Sequence, residues 1–155
     1  MARATSFLRA GSPGPVPFDL VVLRHDERRL RRRLLKLIHG DEVLVDLPET
    51  VSFESGDLLV LEDGRHVAVM ACEEALYEIR GRDSGHLAEI AWHLGNRHLP
   101  AQIEWNLPIP RILIARDHVI RQMLVGLGAD VHEVSEPFSP MRGAYHAHTH
   151  ALLNQ

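Results

Sequence analysis

The stretch HLAEIAWHLGNRHLPAQIEW, residues 86–105, changes period at its middle. In its first half Leu87, Ile90, Ala91 and Leu94 recur at i, i+3, i+4 and i+7, which is one apolar stripe of a helix. Asp83 or Ser84 is placed to cap the start of that helix, and Gly95 or Asn96 to end it in a left-handed turn. Pro100 keeps the helix from resuming, and LPAQIEW (Leu99–Trp105) reads as a strand.

Working outward, ALYEI (Ala75–Ile79) precedes the helix as a strand, with GRDSG as the break. Downstream, the NLPIP turn leads to a second strand, RILIA (Arg111–Ala115). A second helix follows, with Val119, Ile120, Met123, Leu124 and Leu127 on one face, Asp117 as N-cap and Gly128 as its stop. ADVHEV (Ala129–Val134) supplies a last strand. The order is strand, helix, strand, strand, helix, strand. That is the ferredoxin-like βαββαβ arrangement, a four-stranded antiparallel sheet with two helices on one face. It hosts many unrelated functions, so function has to come from the site.

The first 73 residues read differently. DLVVL (Asp19–Leu23), RLLKLI (Arg33–Ile38), EVLVDL (Glu42–Leu47), DLLVL (Asp57–Leu61) and HVAVM (His66–Met70) are short apolar runs. They are separated by HGD, LPET, ESG and EDG, and a spacing near ten residues predicts a small antiparallel sandwich or barrel. Leu61–His66 reads as a hairpin around Asp63-Gly64. The N-terminus, before Asp19, reads as a loose leader. The expected fold class is therefore α+β: an all-β domain (1–73), a ferredoxin-like domain (74–137) and a flexible histidine-containing tail (138–155).

Composition narrows the function. With 155 residues, 45% of them apolar, the chain can bury a real core. No apolar run approaches a membrane span, and one cysteine, Cys72, fits a reducing compartment, so a soluble cytoplasmic protein is expected. A net charge of −4 gives no overall basic character to recruit nucleic acid. The basic run RHDERRLRRR (Arg24–Arg33) has no interleaved aromatics for stacking on bases. It reads as a solvated connection between strands, or as a docking site for an acidic partner.

Histidine is the outlier, with 11 copies, three of them in the last ten residues. On the first helix His86, Glu89 and His93 fall on one flank, which fits either a lone zinc site or an exposed polar edge; the spacing lacks the HExxH form. His98 lies just past the helix end, held by the turn with its ring accessible. His118 opens the second helix as a further candidate ligand. His146, His148 and His150 alternate in the tail, so in extended chain they share a face and can converge on a borderline cation. One His98 is one ligand, whereas nickel, copper or zinc takes four to six. A twofold dimer would supply two His98 rings and the tail the rest. Such an open, exchangeable site suits carrying a metal. The alternatives are a zinc-dependent hydrolase using His86, Glu89 and His93, and a metal-free adaptor that docks a partner through its arginine run.

AWHLGNRHLPAQIE (Ala91–Glu104) with RDHVIRQMLVGLGADV (Arg116–Val131) closely resembles the urease accessory protein UreE family of nickel metallochaperones, and DERRLRRR, LVDLPE and GDLLVLEDGR resemble that family's N-terminal domain. The resemblance implies a β-rich partner-binding domain, a ferredoxin-like metal-binding domain and a homodimer without catalytic activity. It implies delivery of nickel to apo-urease through the urease GTPase and other accessory proteins. His98 matches the family's metal histidine at the dimer interface, and His93 and His118 match auxiliary metal-binding positions. Arg116 stands where some members carry another histidine. The short tail argues against high-capacity storage. Imidazole ligands hold zinc and copper as well as nickel.

Overall fold

The computed structural model describes residues 1–11 and 14–142, so His146, His148 and His150 lie outside the described residues. The chain divides into two compact units, Met1–Glu73 and Glu74–Gln155.

In the first unit six strands form one sheet: β1 (Ala2–Leu8), β2 (Asp19–Leu23), β3 (Arg29–Lys36), β4 (Glu42–Ser52), β5 (Leu58–Leu61) and β6 (His66–Ala71), in the order β2-β6-β5-β1-β4-β3. The expected loose leader is instead partly an inner strand. β1 pairs parallel with β4 and antiparallel with β5. Its alternation is made of small residues, with Ala4 fully buried and Arg3 on the opposite face paired with Asp46 and Glu62, so it lacks the apolar signature of a strand. Nor is the sheet purely antiparallel, because β2 also pairs parallel with β6.

Two further boundaries differ. The basic run is a short 3-10 turn (Asp26–Arg28) followed by the first half of β3, so it is ladder rather than connection. LPET does not end a strand; it sits inside β4 where the register against β3 slips between Leu30 and Arg32. Pro48, which has no N–H to donate, is tolerated at such a bulge. The Leu61–His66 hairpin forms, with Gly64 at φ 90°. Beyond β3, the Ile38 amide donates to the Leu20 carbonyl at 3.0 Å, so the sheet curls toward its own far edge around a core that includes Val21, Leu30, Val43, Leu59 and Val67.

The second unit has β7 (Glu73–Arg80), α1 (Ser84–Asn96), β8 (Ala101–Glu104), β9 (Arg111–Ala115), α2 (His118–Gly126) and β10 (Asp130–Pro137), in the sheet order β10-β7-β9-β8. This is the ferredoxin-like order. The Asp83 and Asp117 carboxylates accept the amides of His86 and Ile120 and cap the two helices. Leu87, Ile90 and Leu94 of α1 and Ile120 and Leu124 of α2 pack on Tyr77, Ile79, Ile112 and Ile114. Val119, expected on the apolar face, is exposed.

The opposite face of this sheet is held by Arg111, whose guanidinium donates to Glu104 at 2.6 Å, Glu136 at 2.7 Å and Glu78 at 2.8 Å. One side chain on β9 thus joins all four strands. Beside it Leu76, Leu113 and Phe138 form a small apolar cluster. The expected tail therefore begins as packed chain: Phe138 is fully buried, the Ser139 amide donates to the Gln102 side chain and the Met141 amide to the Ala101 carbonyl, both at 2.8 Å.

Candidate metal centre at one end of the second unit

β7 and β9 run antiparallel, and each is followed by a helix that returns along the sheet. The end of α1 and the start of α2 consequently lie at the same end of the unit. Register fixes this: Ala101, at the start of β8, pairs with Ile114, and Leu76 pairs with Ala115. His98, three residues before Ala101, and His118, three residues after Ala115, both leave the sheet here. His93, on the last turn of α1, joins them.

His98 has a backbone property that sequence reading placed on its neighbours. The left-handed residue ending α1 is His98 itself, at φ 56°, and it alone among the described non-glycine residues has a positive φ. The His98 amide donates to the Gly95 carbonyl, and the Leu99 amide reaches the Leu94 carbonyl, the bond pair that closes a helix C-terminus. Leu99 is anchored in the core beside Ala91 and Ala101, so the turn is pinned while the His98 ring stands in solvent.

The other histidines divide clearly. His93 is half-buried, its ring 5.1 Å from that of Trp92 and nearly perpendicular to it. His118 is exposed, its Nε2 3.4 Å from the Gln122 amide nitrogen. His86 is not on an exposed flank. It is buried, its Nδ1 accepts the Arg82 amide at 3.0 Å, and its Nε2 donates to the Leu127 carbonyl at 2.8 Å. Nδ1 thus holds the turn that leads into α1 and Nε2 ties α1 to the end of α2, which leaves neither for a metal. Arg116 likewise serves as a clasp, donating to the carbonyls of Leu76 on β7 and Val134 on β10.

Among the described residues no three His, Cys, Asp or Glu side chains converge as a complete metal site. The missing piece of geometry is the path of the chain beyond β10. From Ser139 against Gln102 to Met141 against Ala101, it runs antiparallel to β8, toward Leu99 and His98. Met141 and Leu99 then line the same apolar cleft of about 150 Å³, with Ala91, Leu94, Gly95 and Ile103. The sequence signal for this anchor was FSPM, Phe138 to Met141, two apolar residues three apart in a segment otherwise read as tail.

In sequence, a ferredoxin-like unit with histidines gathered at one end follows a separate β unit. Comparison with known proteins agrees with this division. Residues 5–72 match the N-terminal domain, and residues 74–154 the C-terminal domain, of the UreE urease accessory protein. The urease accessory protein UreE of Rhizobium rhizogenes strain K84 is 60% identical over 148 residues, 96% of this chain and 86% of that protein. Its counterparts in Agrobacterium fabrum strain C58 and Rhizobium meliloti strain 1021 are 57% and 55% identical over the same share of this chain, and 89% and 94% of their own lengths. The chain belongs to the UreE family of urease accessory proteins. Its role is an accessory one in urease maturation, and it is not an enzyme. Among the described residues no helix is long and apolar enough to cross a membrane.

Proposed function

We propose that this chain is a cytoplasmic nickel metallochaperone that delivers nickel to apo-urease, acting as a homodimer with the urease GTPase accessory protein and the apo-urease accessory complex. Nickel is held between two protomers by their His98 rings, and His146, His148 or His150 closes the shell. His93 and His118 are auxiliary ligands at the same end of the unit. Zinc and copper compete for the same imidazoles.

The observation that carries this reading is the anchor of Met141 on Ala101, three residues from a left-handed His98 and heading toward it. His146 is five residues further on, a span of about 17 Å at full extension, so the tail histidines are within reach of His98 on the same protomer. A shell completed by a tethered arm is open to competition, which suits handing metal on. The zinc-hydrolase alternative is disfavoured because His86 has both ring nitrogens committed.

The test is a calorimetric nickel titration of the intact protein beside His98→Ala, with oligomeric state measured in parallel. A tight site at one nickel per dimer, lost in the variant while the dimer persists, is expected. Unchanged tight binding would move the metal elsewhere. Because protons compete for imidazole, whose ordinary pKa is about 6.5, affinity should weaken below that pH. A flat profile from about pH 5.5 to 8 would rule out histidine ligation.

A further inference from the structure

The outer edge of the first unit's sheet presents a charge pattern that the nickel reading does not use. β3 is an edge strand whose only neighbour in the sheet order is β4. Its sequence RLRRRLLK places five cations in eight residues. Arg33 lies 3.6 Å from Glu27; Arg31 and Arg32 act on Asp46 only at longer range, and Arg29, Arg31, Arg32 and Lys36 have no carboxylate within 4 Å among the described residues. On the solvent face Arg32, Leu34 and Lys36 alternate, and Leu34 is 47% exposed. Opposite them β4 supplies Asp46, Leu44 and Glu42 in register. On its inner side, therefore, β3 already faces a strand of acidic, apolar, acidic residues at every second position. On its outer side half of its backbone donors and acceptors point away from β4 without a ladder.

We propose that the Arg31–Lys36 edge of β3 is a docking site for an extended segment of a partner protein, added as an antiparallel strand. The segment repeats the β4 pattern: a carboxylate, an apolar residue two positions on, and a second carboxylate two further. Main-chain hydrogen bonds supply the affinity, and cross-strand contacts with Arg32, Leu34 and Lys36 the selectivity. The edge is bounded, since the chain bonds to Phe53 at Arg28 and to Leu20 at Ile38. About six residues, roughly 20 Å, remain for pairing. A second copy of this chain is not the occupant, because antiparallel pairing of two β3 edges about Leu34 sets Arg32 against Lys36. Like charges directly opposite destabilise a ladder. The proposal does not depend on which metal the second unit holds, or whether it holds one.

The probe is a nine-residue threonine-based peptide with glutamate at positions three and seven and leucine at five, labelled for anisotropy. Its control is an isomer of the same composition with the glutamates adjacent. The intact protein should bind the patterned peptide, with slowed amide exchange confined to Arg31–Leu35, and bind the isomer about tenfold more weakly. The double variant Arg32→Glu, Lys36→Glu should lose the acidic peptide and accept a lysine-leucine-lysine version. That exchange of specificity also demonstrates that the variant is folded. Equal binding of both acidic isomers, protection elsewhere on the chain, indifference to the charge reversal, or no binding up to millimolar peptide would each overturn the proposal.

Discussion

At the scale of single residues, His98 is held in a conformation its chemistry disfavours. The left-handed region costs an L residue about 1 kcal/mol, and the position closing a helix this way is ordinarily glycine. A histidine there trades stability for the placement of its ring. His98→Gly should therefore raise stability in urea by about 0.5–1 kcal/mol while removing the tight nickel site. Equal or lower stability, with nickel retained, would show the turn to be indifferent to its residue. His86 is the converse case. Removing its ring leaves the Arg82 amide and the Leu127 carbonyl unpaired in a buried place, so His86→Ala should cost about 2–3 kcal/mol by chemical denaturation. The nickel stoichiometry of the folded fraction should not change. The sequence set the two histidines apart only by position, His86 on the flank of α1 and His98 just past its end. What separates them is a carbonyl 41 residues downstream of His86 and a dihedral angle at His98, neither of which a local pattern encodes.

At the scale of elements, the second sheet depends on Arg111. Burial alone would raise the Glu78 carboxyl, but bonds from Arg80 and Arg111 outweigh it and hold it below the usual carboxylate range. Glu136 is lowered by its bond to Arg111, against the effect of burial. A carboxylate whose folded pKa is depressed contributes stability that is present above its unfolded value, about 4.3, and lost as pH falls through the lower folded value. The second unit should thus hold to below about pH 4 and then lose stability. Arg111→Met leaves three carboxylates facing one another without their cation. It should cost about 2–3 kcal/mol at neutral pH and start acid unfolding at higher pH, followed by circular dichroism. An acid transition unmoved by the substitution would mean that the cluster is solvated rather than coupled.

The helices of this unit were legible because Leu87, Ile90 and Leu94 repeat with the helical period, and aspartate precedes each start. In the first unit β1 and the leading half of β3 were not, although Arg33–Ile38 did read as a strand. β1 opens on small residues around Arg3, with Phe7 and Leu8 only at its end, and the leading half of β3 carries its charges at an edge, so neither has the apolar alternation that marks a half-buried strand. The parallel pairing of β1 with β4 joins segments about forty residues apart and leaves no local trace.

At the scale of the whole molecule, the histidines were legible as residue types, and their gathering was not. His93, His98 and His118 share an end because β7 and β9 are antiparallel, which is a property of topology. The last bond that brings the chain beyond β10 to that end runs from Met141 to Ala101. Without it, the nearest fixed point is Ser139 on Gln102, and the loop that must close on His98 lengthens from five residues before His146 to seven. Loop closure scales slowly with length, so the change amounts to about 0.3 kcal/mol, or a little under twofold in affinity. Met141→Pro, which removes the donor, should accordingly weaken nickel binding about twofold by calorimetry, far less than His98→Ala. Replacing His146, His148 and His150 together with alanine should then abolish the difference between Met141→Pro and the parent chain, since no tethered ligand remains to be positioned. If Met141→Pro leaves affinity unchanged while the histidines are present, the arm does not close the shell, and the remaining ligands come from His93 and His118 or from the partner protomer. A loss of tenfold or more would mean that the anchor orders the arm itself, and that release of this one bond is enough to let the metal go.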